Sequence, residues 1–228
     1  GDKMKKVLIT GAGTGIGYAT AIALIKKGHF VYLTVHNEEQ LEKLSKKKEL
    51  KKENVTIFKL DITSPEDREK VKDLDIDVLI NNAAIGRGGS IIEAETERIR
   101  DNYEVNFFST VELTKTVIEK MIKRDSGRII MITSVLAEMP FAWLGIYSST
   151  KAALKNVSIA LSKELKQIES NVDVVIVEPG AYHTGFNQVM LKNKYDNPDS
   201  YFKDLRLKIK LREIGRAHVW TPVTATSR

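Results

Sequence analysis

Cysteine is absent from this chain of 228 residues. Disulfides and thiolate metal sites are thereby excluded, and a reducing, cytoplasmic setting is expected. No apolar run reaches membrane-spanning length, and the opening GDKMKK followed by VLIT lacks the apolar stretch and cleavage site of a signal peptide. No membrane association is expected. The four histidines (His29, His36, His183, His218) show no ligand spacing, so no metal is expected. The net charge of +6 invites a nucleic-acid reading, but the basic run Lys46, Lys47, Lys48, Lys51 and Lys52 has no interleaved aromatic residues for bases to stack on. It falls at the end of a predicted helix, where it complements the dipole and faces water. No nucleic-acid partner is expected.

What is present is a globular composition, 42% hydrophobic, in a chain long enough for one sizeable core and short for two. Strand-like runs stand at KKVLIT (5–10), FVYLTV (30–35), NVTIFKL (54–60), DVLI (77–80), RIIMIT (128–133) and VDVVIV (172–177). Each is a continuous apolar run rich in β-branched residues, as strands buried on both faces require. Segments of helical period lie between them, at about 15–27, 38–50, 66–72, 96–123 and 147–168. This alternation predicts one α/β domain, a doubly wound parallel sheet of Rossmann type in three layers, α/β/α.

The first strand runs straight into TGAGTGIG, residues 10–17. Glycines there let the backbone turn tightly and approach a pyrophosphate, while the following helix offers unpaired N–H groups to the anion. Gly11, Gly13, Thr14, Gly15, Ile16 and Gly17 are therefore the expected coenzyme cradle. Tyr147 and Lys151 stand four apart in Y-S-S-T-K, opening a predicted helix, so the two side chains share one face. A neighbouring ammonium favours phenolate and is expected to lower the Tyr147 pKa. Ser134 directly follows the fifth strand, at the carboxyl end where open α/β sheets bind ligands. Asn106 lies in mid-helix, where a bland position would carry Ala or Leu.

The T-G-x-x-x-G-x-G order and these four positions resemble the short-chain dehydrogenase/reductase family over roughly residues 5–185. The resemblance implies an oxidoreductase that moves hydride between a nicotinamide and a carbonyl or alcohol substrate. It makes Tyr147 the general acid/base and Ser134 the hydrogen-bond partner of the substrate oxygen. Lys151 then tunes Tyr147 and holds the nicotinamide ribose, and Asn106 positions a water in a proton relay. It further implies that Asp61, with Ile62, lies beside the adenine ring. Asp61 also reads as part of a helix-capping region before Thr63, Ser64 and Pro65. Asn81-Asn82-Ala83-Ala84 resembles the family's N-N-A-G, with its first Asn steadying the sheet and Asn82, Ala83 and Ala84 along the coenzyme. Pro179, Gly180 and Thr184 match P-G-x-x-x-T, which contacts the nicotinamide carboxamide. Relatives often pair through helices corresponding to 96–123 and 147–168, implying a homodimer or homotetramer.

NAD enzymes want an acidic group at the end of the second strand, and NADP enzymes a cation or an open site. Val35 stands where NAD users carry Asp, and His36 where many NADP users carry Arg. NADP (NADPH) is the expected cofactor, with NAD the alternative. The loop Gly86-Arg87-Gly88-Gly89 reads as a glycine-rich surface loop, with a mobile loop over the cofactor as the alternative. Residues 181–211 read as a substrate lid whose apolar side includes Phe202, facing Leu136, Met139, Phe141, Ala142 and Trp143 across the pocket.

The closing EIGRAHVWTPVTATSR (213–228) follows no helix or strand period. Read back into codons it resembles a common sequencing adapter, with TGA read as Trp220. The native domain is therefore expected to span 1–212, the sheet to lack its last strand, and 213–228 to be a non-native tail. The rival functional reading is a dinucleotide-binding protein without turnover, or a truncated and inactive enzyme. A sugar-nucleotide epimerase shares Y-x-x-x-K but carries a larger C-terminal substrate domain.

Overall fold

The computed structural model describes residues 3–180 and 200–202. Each predicted apolar run becomes a strand: β1 (Lys6–Ile9), β2 (Phe30–Val35), β3 (Val55–Lys59), β4 (Val78–Asn81), β5 (Gly127–Ile132) and β6 (Val172–Val177). All pair in parallel, in the order β3-β2-β1-β4-β5-β6. The order reverses between β1 and β4, so the loops leaving these two strands diverge and open a crevice at their carboxyl ends.

The helices are α1 (Gly15–Lys26), α2 (Glu38–Ser45), α3 (Pro65–Glu69), α4 (Thr96–Tyr103), α5 (Thr110–Lys123) and α6 (Gly145–Gln167). Side chains of β1 alternate between two cores, as a strand buried on both faces must. Val7 and Ile9 pack with Ala21 and Ile25 of α1 and Leu44 of α2. Leu8 packs on the other side with Leu113, Val117 and Met121 of α5 and Leu154 of α6. Burial of each such Leu or Ile contributes about 1.5–3 kcal/mol, so the sheet centre is a rigid platform for the loops above it.

Local chemistry sets the helix ends. Asn37 caps α2 by accepting from Gln40 N at 2.9 Å, and Ser64 caps α3 by accepting from Asp67 N at 3.1 Å, with Pro65 in the first helical position. The predicted 38–50 helix breaks at Ser45 and resumes as a 3-10 turn, Lys48–Leu50. The predicted 96–123 helix is α4 and α5 joined by a π-helical turn, Glu104–Ser109. Helix α6 begins two residues before Tyr147, at Gly145. Strand β6 is the sheet's edge among the described residues, and Val174 to Val177 are half-buried rather than buried. The tail 213–228 and most of the expected lid lie outside the described residues.

Candidate active site

Thr10, at the end of β1, ties the two sides of the crevice together. Its hydroxyl accepts from Asn82 N at 3.0 Å and Ala83 N at 2.9 Å. The Asn82 amide donates back to the carbonyls of Thr10 and Gly11, at 2.9 and 3.1 Å. The N-N-A-A segment is thereby stitched to the glycine loop, and Ala84 continues it half-buried. Asn81 points from the sheet towards α5, donating to Thr114 Oγ1 at 2.9 Å.

The glycines are needed where this stitching is closest. Gly11 has φ +60°, and a Cβ there would lie 2.8 Å from Ala83 Cα. A Cβ on Gly17 would meet Asn82 Nδ2 at 2.5 Å. Thr14 is the N-cap of α1 but makes no side-chain capping bond, and the first turn, with Gly15, Ile16 and Gly17, carries no acidic residue. The helix start therefore leaves its N–H groups and positive end for an anion. These residues suit a dinucleotide's pyrophosphate.

Beyond the end of β2, His36 Nδ1 lies 3.7 Å from Asp61 Oδ1. The same Asp61 oxygen accepts from Thr63 N and Thr63 Oγ1, so the capping reading of this stretch is met. The His36 N–H donates to Gln40 Oε1 at 3.2 Å, and a Cβ on Gly13 would be 3.6 Å from that oxygen. Ile62 is less well suited to its expected contact: its side chain is buried in the core and its carbonyl accepts from Arg68 at 2.6 Å.

Ser134, Tyr147 and Lys151 converge beside this cradle. Ser134 follows β5 and its hydroxyl accepts from Leu136 N at 3.1 Å. The Tyr147 phenol is buried, and the Ser134 hydroxyl is near enough to favour its ionised form. Lys151, one turn further along α6, donates from Nζ to the Ile132 carbonyl at 2.8 Å. The expected lowering of the Tyr147 pKa is not met. Burial, opposed by the nearby Ser134 hydroxyl, pushes it up to about 12, and burial lowers that of Lys151 to about 8. Removing both groups from water disfavours both charged forms.

Asn106 stands behind this group, on the π-helical turn, with no exposed surface. Its Oδ1 accepts from Ile85 N at 2.8 Å, and its Nδ2 donates to Ile85 O at 2.8 Å and Thr150 Oγ1 at 3.0 Å. Thr150 in turn donates to the Tyr147 carbonyl at 2.7 Å. The side-chain amide is thus engaged in joining the loop after β4 to α6. Pro179 meets the Ser134 segment through Val135 N, which donates to its carbonyl at 3.2 Å; Gly180 follows, exposed. Thr184 lies outside the described residues.

The loop 86–89 is not the surface loop expected: Gly86, Gly88 and Gly89 are buried. Asn102 and Trp143 hold it, accepting from Arg87 N at 3.3 Å and Gly89 N at 2.8 Å. Trp143 and Phe202, expected on opposite sides of the pocket, pack edge to face at 4.5 Å. Next to Phe202, Ser200 donates to Glu93 at 2.9 and 3.0 Å.

Residues 5–194 match the short chain dehydrogenase family. The chain belongs to that family. It is 32% identical over 212 residues to a 3-ketodihydrosphingosine reductase of Bacteroides thetaiotaomicron, covering 88% of this chain and 74% of that protein. A short-chain dehydrogenase of Streptomyces avermitilis superposes with a TM-score of 0.74 at 32% identity, over 86% of this chain and 73% of the other. A short-chain dehydrogenase of Sphingobium yanoikuyae, solved in complex with NADPH, gives a TM-score of 0.74 at 28% identity, over 82% and 75%. The chain is thus a dehydrogenase/reductase in the general sense, and no described helix is long and apolar enough to cross a membrane.

Gln40, Thr150 and Lys155 escaped the sequence reading, and Thr10, though it opens the T-G-x-x-x-G-x-G motif, was given no role there. Thr10 and Thr150 had a visible signal, each adjoining a motif residue, Gly11 and Lys151. The role of Lys155 depends on residues 17 and 23 positions away, which no local pattern announces.

Proposed function

We propose that this protein transfers hydride between NADPH and the carbonyl carbon of a substrate with apolar bulk, or runs the reverse oxidation of an alcohol. The observation that carries the reading is the buried Tyr147 phenol within reach of the Ser134 hydroxyl, with Lys151 one turn away, beside a glycine cradle that suits a pyrophosphate. The bound coenzyme would supply the hydride. Gly11, Gly13, Thr14, Gly15, Ile16 and Gly17 would hold its pyrophosphate, His36 and Asp61 its adenosine end, and Pro179 and Gly180 its nicotinamide end. NADPH is preferred because Val35 leaves no carboxylate at the end of β2 and because relatives such as the Sphingobium yanoikuyae enzyme bind it.

Ser134 and Tyr147 would both hydrogen-bond the substrate oxygen. With its pKa held at about 12, the Tyr147 phenol stays protonated at neutral pH, the state needed to give a proton to the oxygen as negative charge develops on it. In the oxidative direction the phenolate takes that proton back. Lys151, protonated below about pH 8, offsets charge on the phenol oxygen. Exposed Ile91, Ile92, Met139 and Phe141, in the loops after β4 and β5, suit a substrate that is apolar away from its reacting group.

A panel of apolar ketones and NADPH deuterated on the transferable position of C4 tests this. The product alcohol should carry deuterium on its carbinol carbon. NADPH consumption without that label, or no turnover of any ketone or alcohol, would overturn the proposal.

A further inference from the structure

Lys155 lies one helical turn beyond Lys151 on α6, so the two ammonium groups leave the same face. Their surroundings differ. Lys151 reaches a backbone carbonyl, whereas Lys155 gathers two carboxylates. Its Nζ donates to Glu178 Oε1 and Oε2 at 3.0 and 3.1 Å, and pairs with Glu138 Oε1 at 2.7 Å.

These partners come from two separate loops. Glu178 leads the Glu-Pro-Gly segment that leaves β6. Glu138 closes the turn that begins at Ser134. The loops also touch through the bond from Val135 N to the Pro179 carbonyl, at 3.2 Å, just above the Thr133 N to Val177 O bond at 2.8 Å. The Lys155 and Glu178 side chains are 22% and 29% exposed, against 74% and 76% for the surface pair Lys43–Glu39. Shielding of this degree makes the pair stiffer than an ordinary surface ion pair and makes loss of one partner costly to the other. The hydrogen bonds to Glu138 and Glu178 raise the Lys155 pKa against partial burial, so the clamp stays charged over the neutral range.

We propose that Lys155 is a positioning residue, locking the Glu178-Pro179-Gly180 segment to the Ser134 loop and so fixing the floor on which the nicotinamide end of the coenzyme rests beside Tyr147. This rests on the coenzyme reading above. Lys155 touches neither substrate nor coenzyme in this role; it acts through Glu178 and Glu138.

The test compares Lys155→Met, Lys155→Arg and Glu178→Gln in the full chain. Two quantities are read: NADPH affinity by fluorescence titration, and hydrogen exchange of the Val135 amide without nucleotide. Lys155→Met and Glu178→Gln should each weaken NADPH binding about tenfold and speed Val135 exchange by a similar factor, while Lys155→Arg stays within about twofold of wild type. The double variant should lose no more than either single one, because both remove the same contact. Unchanged NADPH affinity in Lys155→Met, whether or not its thermal stability falls, would overturn the proposal. Should Lys155→Met fail to fold, Glu178→Gln carries the same test with its shape conserved. If wild type binds no NADPH, the functional reading fails, and Val135 exchange decides the clamp alone: faster exchange upholds it and unchanged exchange overturns it.

Discussion

Lys151 Nζ lies 5.8 Å from the centre of the Tyr147 ring, one helical turn along the same face of α6. Burial acts on the two groups in opposite directions on the pH scale, raising the phenol to about 12 and lowering the ammonium to about 8. In each case the neutral form is favoured. This pair dictates how stability and activity depend on pH.

For Lys151, the folded pKa of about 8 lies below the ordinary value of 10.5. Between these values the unfolded chain binds the proton and the folded chain does not, so stability rises with pH across that window. The full rise is on the order of 3 kcal/mol, from about 1.4 kcal/mol per pKa unit. Urea unfolding at several pH values should show it in wild type, and Lys151→Met should flatten it. In the same range kcat/KM for NADPH should fall as pH passes about 8, because the ammonium that favours an anionic coenzyme is lost. An NADPH kcat/KM that rises through this range would contradict the assignment.

Tyr147→Phe removes the proton donor and keeps the ring against Leu136 and Leu144. Ketone reduction should fall by about 10²–10⁴-fold, with NADPH affinity close to wild type. Steady-state kinetics alongside a binding titration separate the two. A Tyr147→Phe enzyme with wild-type kcat would remove the phenol from the mechanism.

Gly17→Ala would drive a methyl group to 2.5 Å from Asn82 Nδ2 and 3.0 Å from Gly11 O. The bonds from Asn82 to Thr10 and Gly11 would be displaced, loosening the cradle. Overpacking of this kind costs about 1–3 kcal/mol, and NADPH binding should weaken with it. Thermal unfolding and titration of the variant check both halves.

Asn106→Ala would strip the hydrogen bonds from the Ile85 N–H and carbonyl and from Thr150. Two half-buried backbone groups left unpaired cost up to roughly 1–3 kcal/mol each. The variant should be destabilised by several times the effect of an exposed substitution. It should also lose activity, through the disturbed seat of α6 beneath Tyr147. Denaturant unfolding measures the first, and turnover the second.

Strand positions and the doubly wound class were legible because runs such as KKVLIT and FVYLTV carry the both-face burial of a parallel sheet in their composition. Gly11, Gly17, Ser134, Tyr147 and Lys151 were legible because motif spacing and strand ends bring them to one crevice. The break of α2 at Ser45 and the π-helical turn around Asn106 were not. Helical period runs through both, and only tertiary bonds to Ile85 and Thr150 explain the second. The direction of the Tyr147 shift was misread because spacing reveals the neighbouring lysine but not the depth of burial, which here is the larger effect. The packing of Trp143 on Phe202 joins residues 59 positions apart, beyond any local signal.

The central claim is that the crevice between β1 and β4 holds a phosphorylated dinucleotide. A fluorescence titration of the full chain with NADPH and, separately, with NADH tests it most directly. Saturable binding of both, tighter for NADPH, is the predicted result. Binding of neither, or tighter binding of NADH, would contradict the account.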